Sequence, residues 1–153
     1  MKMSFEQSNV VPDGAEAIFR ESSIQERYFE GNSTLSRSLQ QAAEQGELFL
    51  GKNEEGRVVA IMRSTDKGFC SIYPYIKLLG VDPDFRGKGV GSFMFDQIEE
   101  RARQKGSRRI TLMVSDFNER AEKAYVKRGY RRLCAIPDCV KMGIEEHLMI
   151  KDL

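Results

Sequence analysis

The sequence predicts one α/β (α+β) domain, helices laid on a single sheet, and three observations carry that prediction. The chain has 153 residues, a length at which a single domain with its own core is the common outcome. Its apolar residues recur partly in short alternating runs of strand length and partly in longer runs of helical spacing, with glycines between them. The runs follow the order strand, helices, a run of strands, then strand, helix, strand, helix, strand, strand, which is a mixed layer architecture.

Taken in order, residues 3–10 alternate weakly and read as an edge strand. Pro12-Asp13-Gly14 marks a turn, with Asp13 the expected cap of a helix from Ala15 whose buried positions are Ile18, Phe19 and Ile24. Ile24 to Phe29 reads as a short helical turn that sets Tyr28 and Phe29 against the core, and Gly31-Asn32-Ser33 breaks it. A longer helix is expected from about Thr34 to Gln45, with Leu35, Leu39 and Ala42 or Ala43 on one face and Gly46 as its stop. Strands at 48–51 and 58–64 flank a polar hairpin loop, Lys52-Asn53-Glu54-Glu55-Gly56. Residues 71–81 read as a central strand whose beginning Pro74 displaces to an edge or a bulge.

A loop at 82–91 leads to a helix from Ser92 to about Lys105, with Phe93, Met94, Phe95, Ile98 and Ala102 as its apolar stripe and Gly106 at its end. Residues 109–115 alternate, with Ile110, Leu112 and Val114 on one face. A helix over 119–128, capped by Asn118 or Asp116 and closed by Gly129, precedes two closing strands at 130–136 and 147–151 around the loop 137–146.

Composition excludes several classes. Hydrophobic residues are 41% and charged residues 31% of the chain, a globular balance and not a disordered one. No apolar run approaches the ~18–20 residues needed to span a bilayer, and the first residues lack a signal peptide's apolar stretch, so no membrane is expected and a cytoplasmic protein is. Cys70, Cys134 and Cys139 are odd in number and show no Cys-x-x-Cys spacing. They indicate neither a disulfide framework nor a zinc site, no metal is expected, and they read as small apolar residues of a reduced protein.

Net charge is +1 but unevenly spread: residues 101–132 hold eleven Lys or Arg against three acids, and residues 1–60 hold ten acids against six bases. The basic stretch has few interleaved aromatics and no DNA-binding motif, so nucleic acid is not the expected partner.

The most informative stretch is Leu79-Gly80-Val81-Asp82-Pro83-Asp84-Phe85-Arg86-Gly87-Lys88-Gly89-Val90-Gly91-Ser92. An apolar strand turns through three glycines at alternate positions directly into an amphipathic helix. The first amides of a helix lack intrahelical partners and carry the positive end of its dipole, and glycines let a phosphate come close to them. Arg86 and Lys88 add full positive charge. The spacing Gly-x-Gly-x-Gly fits neither the dinucleotide fingerprint nor the P-loop.

Arg86-x-x-Gly89-x-Gly91 after an apolar strand resembles the acetyl-CoA signature of the GNAT superfamily of N-acetyltransferases. The stretch 118–130 adds Asn118, Ala121, Tyr125, Gly129 and Tyr130 at matching positions. The resemblance implies a central, mixed but mostly antiparallel twisted sheet of about six or seven strands with about four helices and splayed central strands, in a single domain over residues 1–153. It implies acetyl-CoA as the acyl donor, with its pyrophosphate on Arg86, Gly87, Lys88, Gly89, Val90, Gly91 and Ser92. Backbone groups of Leu79 and Val81 would meet the pantetheine, and Asn118 would contact the arm near the thioester.

The implied reaction is direct transfer of an acetyl group to a primary amine of a small molecule or of a protein, with Tyr125 as the acid for the departing thiolate. A non-catalytic acyl-CoA-binding sensor is the alternative. The base is unassigned: residues 73–78 contain no acid, and His147, Glu30 and Asp116 are the weakly supported candidates. The acceptor region maps to about 28–32, 73–77 and 137–147, with Tyr28, Tyr73 and Tyr75 as a candidate aromatic wall. Final strands of this fold often pair between subunits, which leaves a homodimer open.

Overall fold

A computed structural model describes residues 1–29 and 32–153, the side chains of Asn32 and Ser33 excepted. The break placed at Gly31 and the candidate base Glu30 lie outside the described residues. Among those described, seven strands form one sheet: β1 (Ser4–Ser8), β2 (Leu48–Lys52), β3 (Val58–Phe69), β4 (Tyr73–Val81), β5 (Arg109–Ser115), β6 (Arg131–Ile136) and β7 (Glu146–Asp152). Four α-helices accompany them: α1 (Ser23–Tyr28), α2 (Asn32–Glu44), α3 (Val90–Gln104) and α4 (Glu119–Lys127). The strand order is β1-β2-β3-β4-β5-β7-β6. The β1–β2, β2–β3, β5–β7 and β6–β7 pairs are antiparallel, whereas β4 and β5 are parallel and joined through α3, the crossover that parallel neighbours require. The expected mixed, mostly antiparallel α/β sheet is therefore present.

Several expected boundaries move, each for a local reason. Residues 15–19 form a 3-10 turn and not an α-helix; its cap position is Gly14 in the left-handed region, and no side chain caps it, so Asp13 does not play that part. Ser22 is the side chain that caps α1, accepting from the Gln25 amide. Helix α2 begins at Asn32, two residues before the expected start, and α3 at Val90, two residues before Ser92. Strand β3 runs on to Phe69 because Cys70 and Ser71 both take positive φ and make the tight turn into β4.

The chain divides into two compact units, Met1–Thr65 with Leu78–Ile98, and Asp66–Lys77 with Glu99–Leu153. In the first, the 3-10 turn (Ile18, Phe19), α2 (Leu35, Leu39, Ala42, Ala43) and the sheet (Leu48, Leu50, Ile61, Leu78) bury one apolar cluster. Two glycines permit close packing there. A Cβ on Gly80 would lie 2.5–2.7 Å from the Phe19 ring, and one on Gly51 would lie 2.6 Å from the Met94 sulfur of α3. Arg63 and Glu47 form a buried ion pair at 2.7 Å, and the Arg63 guanidinium also reaches Gln45 at 3.1 Å, which ties β3 to the end of α2.

In the second unit the hub is Glu99, 2% exposed. Its carboxylate accepts from the Tyr130 hydroxyl at 3.1 Å, the Lys151 ammonium at 2.7 Å and the Arg128 guanidinium at 3.3 Å. A buried carboxylate needs such partners, and these three fix the end of α4 and strand β7 on the second half of α3. Strand β5 is buried on both faces, Ile110, Leu112 and Val114 on one and Thr111 and Ser115 on the other, as befits an interior strand.

Gly80→Ala should force Phe19 out of place and destabilise the protein by roughly 1–3 kcal/mol, the usual cost of overpacking. A urea midpoint unchanged from the parent would show that the Phe19 contact is unimportant.

Candidate functional site

The glycine loop lies wholly in the first unit. Asp82 starts it: the buried carboxylate accepts from the Asp84 amide at 3.0 Å and pairs with Arg57 at 2.7 Å, which organises a 3-10 turn at Pro83–Phe85. Gly87 and Gly89 then take φ of +74° and +82°, and a Cβ on either would enter open space. Only glycine adopts that backbone without strain. The Phe93 amide is the first to bond back into α3, reaching the Gly89 carbonyl at 3.0 Å. The amides of Val90, Gly91 and Ser92 precede it and have no hydrogen-bond partner among the described residues, as the first turn of a helix dictates.

The Val90 side chain is buried, whereas Arg86, Gly87, Lys88, Gly89 and Ser92 are exposed. A helix start with unpaired amides, two left-handed glycines and a lysine at its edge fits a phosphate group.

Arg86 sits differently from the expectation. Its guanidinium donates to three backbone carbonyls, Val81 at 3.0 Å, Glu21 at 3.0 Å and Arg20 at 2.6 Å. The side chain therefore ties the loop to the end of β4 and to the segment before α1, and the Val81 carbonyl is already engaged. Lys88 lies 5.3 Å from the centre of the Phe85 ring, with Arg57 at 5.2 Å from the same ring. Leu79 and Val81 are half-buried and form the side-chain surroundings of Gly91, at 3.9 and 4.0 Å from where its Cβ would stand.

The second unit carries Asn118 and Tyr125. Asn118 occupies the cap position of α4, but its side chain makes no capping bond. Asp116 does not cap either: its amide donates to the Glu145 carbonyl at 2.9 Å and its carboxylate accepts from the Glu145 amide at 3.2 Å, which pins the end of the β6–β7 loop. Tyr125 projects from α4 with its ring 6.1 Å from that of Tyr130. Burial pushes the Tyr125 phenol above its ordinary pKa, so the group is neutral and keeps its O–H at physiological pH.

His147 is not available as a base. Its Nδ1 lies 2.8 Å from Glu122 and its Nε2 3.0 Å from Glu145. A ring with a carboxylate at each nitrogen is favoured in the imidazolium form, which donates from both. Burial works against that charge, but the hydrogen bonds to Glu122 and Glu145 outweigh it and raise the pKa of His147. Burial likewise opposes the Glu122 charge, yet its bonds to His147 and Arg132 hold the carboxyl below its ordinary value.

The three cysteines, read from the sequence as small apolar residues of a reduced protein, are free and exposed. Tyr73, one tyrosine of the expected aromatic wall, has the Arg109 guanidinium 6.0 Å from its ring centre. Sequence reasoning missed two buried groups of this unit, Ser115 and Glu146, whose side chains meet at 2.8 Å. A carboxylate opening the apolar run His147-Leu148-Met149-Ile150 was the available signal.

The fold is an α/β sheet in which a glycine-rich turn after β4 leads into a helix start with unpaired amides. The chain belongs to the acetyltransferase (GNAT) family, whose model matches residues 15–130. It is 37% identical over 79 residues to the blasticidin-S acetyltransferase of Streptomyces morookaense, covering 52% of this chain and 57% of that one. The chain spans only about half to two thirds of the length of such curated relatives.

Two solved structures show the same fold. A GNAT-family protein from Desulfovibrio desulfuricans superposes with a TM-score of 0.75 at 11% identity, covering 99% of both chains. A Bacillus anthracis protein assigned as a streptothricin acetyltransferase, solved in complex with acetyl coenzyme A, gives 0.61 at 17% identity over 69% of this chain and 61% of that one. Among the described residues, no helix is long and apolar enough to cross a membrane.

The His147 cluster makes stability depend on pH from both sides. A raised His147 pKa contributes stability that is complete below the unfolded value near 6.5 and is lost as pH rises through the folded value. The lowered Glu122 pKa contributes stability present above the unfolded value near 4.5 and lost as pH falls through the folded one. His147→Gln should therefore flatten the fall in unfolding free energy as pH rises above the unfolded value near 6.5. Parallel curves for parent and variant would refute the imidazolium assignment.

Proposed function

We propose that this protein transfers an acetyl group from acetyl-CoA to a primary amine, and that the acceptor is a small molecule. One observation carries the reading: a helix start with unpaired amides and left-handed Gly87 and Gly89 follows β4, in a chain of the GNAT family. Gly87, Lys88, Gly89, Val90, Gly91 and Ser92 hold the pyrophosphate through backbone amides and the Lys88 charge. Arg86 acts in this reading as the clamp that shapes the loop. Backbone groups of Leu79 and Val81 serve the pantetheine, with the Val81 carbonyl excepted because Arg86 occupies it. Asn118, whose side chain is not spent on capping, serves the arm near the thioester.

Acetyl-CoA supplies an activated acetyl group and a thiol leaving group. Tyr125 supplies the proton for that thiol. With ordinary pKa values of about 10 for a phenol and about 8.5 for a thiol, the transfer is uphill by about 2 kcal/mol. Burial of Tyr125 adds to that difference. The hydroxyl therefore acts chiefly as a hydrogen-bond donor to sulfur while charge develops there, and it hands over its proton late.

The relative named for blasticidin-S supports a small-molecule acceptor. The family match at 15–130 runs through both compact units, which supports reading the chain as one domain. Exposed free cysteines support a reducing, cytoplasmic setting.

Acetyl-CoA at one hundred times its Kd should stabilise the protein by about 2.7 kcal/mol, and the absence of any Tm shift at millimolar acetyl-CoA would refute coenzyme binding. Thiol release with a panel of small-molecule amines then separates an enzyme from a non-catalytic sensor; binding with no acceptor-dependent release would favour the sensor.

Gly89→Val places a β-branched residue at φ +82°, a strain of order 1–3 kcal/mol, and should weaken acetyl-CoA binding roughly tenfold or more. Undiminished affinity would remove the loop from the site. Tyr125→Phe should lower kcat by about 10²-fold or more while Kd for acetyl-CoA is kept. An unaltered kcat would take Tyr125 out of the mechanism.

A further inference from the structure

In the proposed reaction the Tyr125 hydroxyl must stand at the departing sulfur, and its helix does little by itself to keep it there. Helix α4 is nine residues long, and none of its residues is fully buried. A helix of that length is marginal in isolation, so its placement comes from tertiary bonds. The Asn118 side chain makes no capping bond at its start. Glu122, bonded to His147 and Arg132, holds the first turn.

The last turn, which carries Tyr125, is held through Tyr130. The Tyr125 carbonyl accepts from the amides of Arg128 and Tyr130, each at 3.0 Å. The two tyrosine rings lie 6.1 Å apart at 58°, a tilted arrangement within the range at which aromatic pairs attract. Tyr130 is 2% exposed, and its hydroxyl donates to Glu99 Oε1 at 3.1 Å. Glu99 Oε2 accepts from Lys151 at 2.7 Å and from Arg128 at 3.3 Å, so the carboxylate is itself fixed from β7 and from the end of α4. Lys151 Nζ also stands 5.7 Å from the centre of the Tyr130 ring. All five residues belong to the second unit.

The Tyr130 ring is therefore held at both ends, by its backbone on Tyr125 and by its hydroxyl on Glu99. Packing alone would accept a phenylalanine at this position. The hydroxyl adds a directional bond to a charged acceptor, stronger than a neutral one, and removes the ring's freedom to slide. Because the Tyr125 ring rests against it, the same restraint passes to Tyr125. The consequence for rate is geometric: a misplacement of about 1 Å can cost about 10²-fold, and locked supporting side chains are what prevent it.

We propose that Glu99 and Tyr130 are positioning residues for Tyr125: the Glu99 carboxylate anchors the Tyr130 hydroxyl, and the anchored ring sets the place of the Tyr125 phenol. The inference rests on the acetyltransferase reading with Tyr125 as its acid, and it adds two residues to which that reading gives no part.

The test is a double-mutant cycle on the whole chain, with acetyl-CoA and an amine from the panel that gives thiol release. Tyr130→Phe keeps the ring and removes only the hydroxyl. It should lower kcat about tenfold, while KM for the amine and Kd for acetyl-CoA stay within about twofold of the parent. In a Tyr125→Phe background the same substitution should change kcat by less than about twofold, because no phenol is left to position. Glu99→Gln should follow the same pattern, lowering kcat in the parent and not in the Tyr125→Phe background. Where that variant does not fold, Tyr130→Phe decides alone.

A purely structural role would act equally in both backgrounds, so a loss that recurs in full with Tyr125→Phe would overturn the proposal. An unchanged kcat for Tyr130→Phe would overturn it as well. Failure of the underlying reading has a different signature: Tyr125→Phe by itself leaves kcat unaltered, or no amine gives release, and the positioning role falls with it.

Discussion

One guanidinium holds the turn on which the candidate site depends. Arg86 spends its donors on the carbonyls of Val81, Arg20 and Glu21, which lie at a strand end and in a connecting segment where no ladder or helix would satisfy them. Hydrogen bonds from a charged group contribute roughly 1.5–3 kcal/mol each at most, so the three offset part of the conformational freedom lost by the loop. Asp82 pins the other side through Arg57 and the Asp84 amide. Between these two anchors the chain is led through left-handed Gly87 and Gly89 into α3, and the amides of its first turn are left for a ligand.

The second unit solves a different problem. Glu99 is a charge in a core, tolerable only because Tyr130, Lys151 and Arg128 surround it. These partners come from the strand end after α4, from β7 and from the end of α4, so one carboxylate sets the frame from which Tyr125 projects. The same frame explains the Tyr130 phenol, which burial and the Glu99 charge both keep protonated. A second ionic cluster, His147 with Glu122, Glu145 and Arg132, ties α4 to β7. It engages both ring nitrogens of the chain's only histidine.

Much of the fold was legible because its signals are local. Leu35, Leu39, Ala42 and Ala43 show helical spacing in the sequence and are buried in α2; Ile110, Leu112 and Val114 alternate and are buried in β5. The less legible elements are those decided by non-local bonds. Asp13 looked like a cap, but Gly14 takes the cap position in a left-handed conformation. Strand β3 outran its apolar pattern, since its last residues are held by pairing in the sheet and not by burial. The cysteines, small and weakly polar, carry no pattern of their own and stand at the surface.

The sequence by itself determined where the candidate glycine loop lies, because the spacing of Gly87, Gly89 and Gly91 between a strand and a helix start is a property of consecutive residues. It also determined the family, through that loop and the stretch from Asn118 to Tyr130. Only the tertiary structure decided what the charged side chains do. The Arg86 guanidinium donates to three backbone carbonyls, His147 is held between Glu122 and Glu145, and Glu146 is a buried carboxylate bonded to Ser115. Long side chains reach partners tens of residues away in the chain. Which partner captures a charge depends on strand register and burial, and neither is written in local spacing.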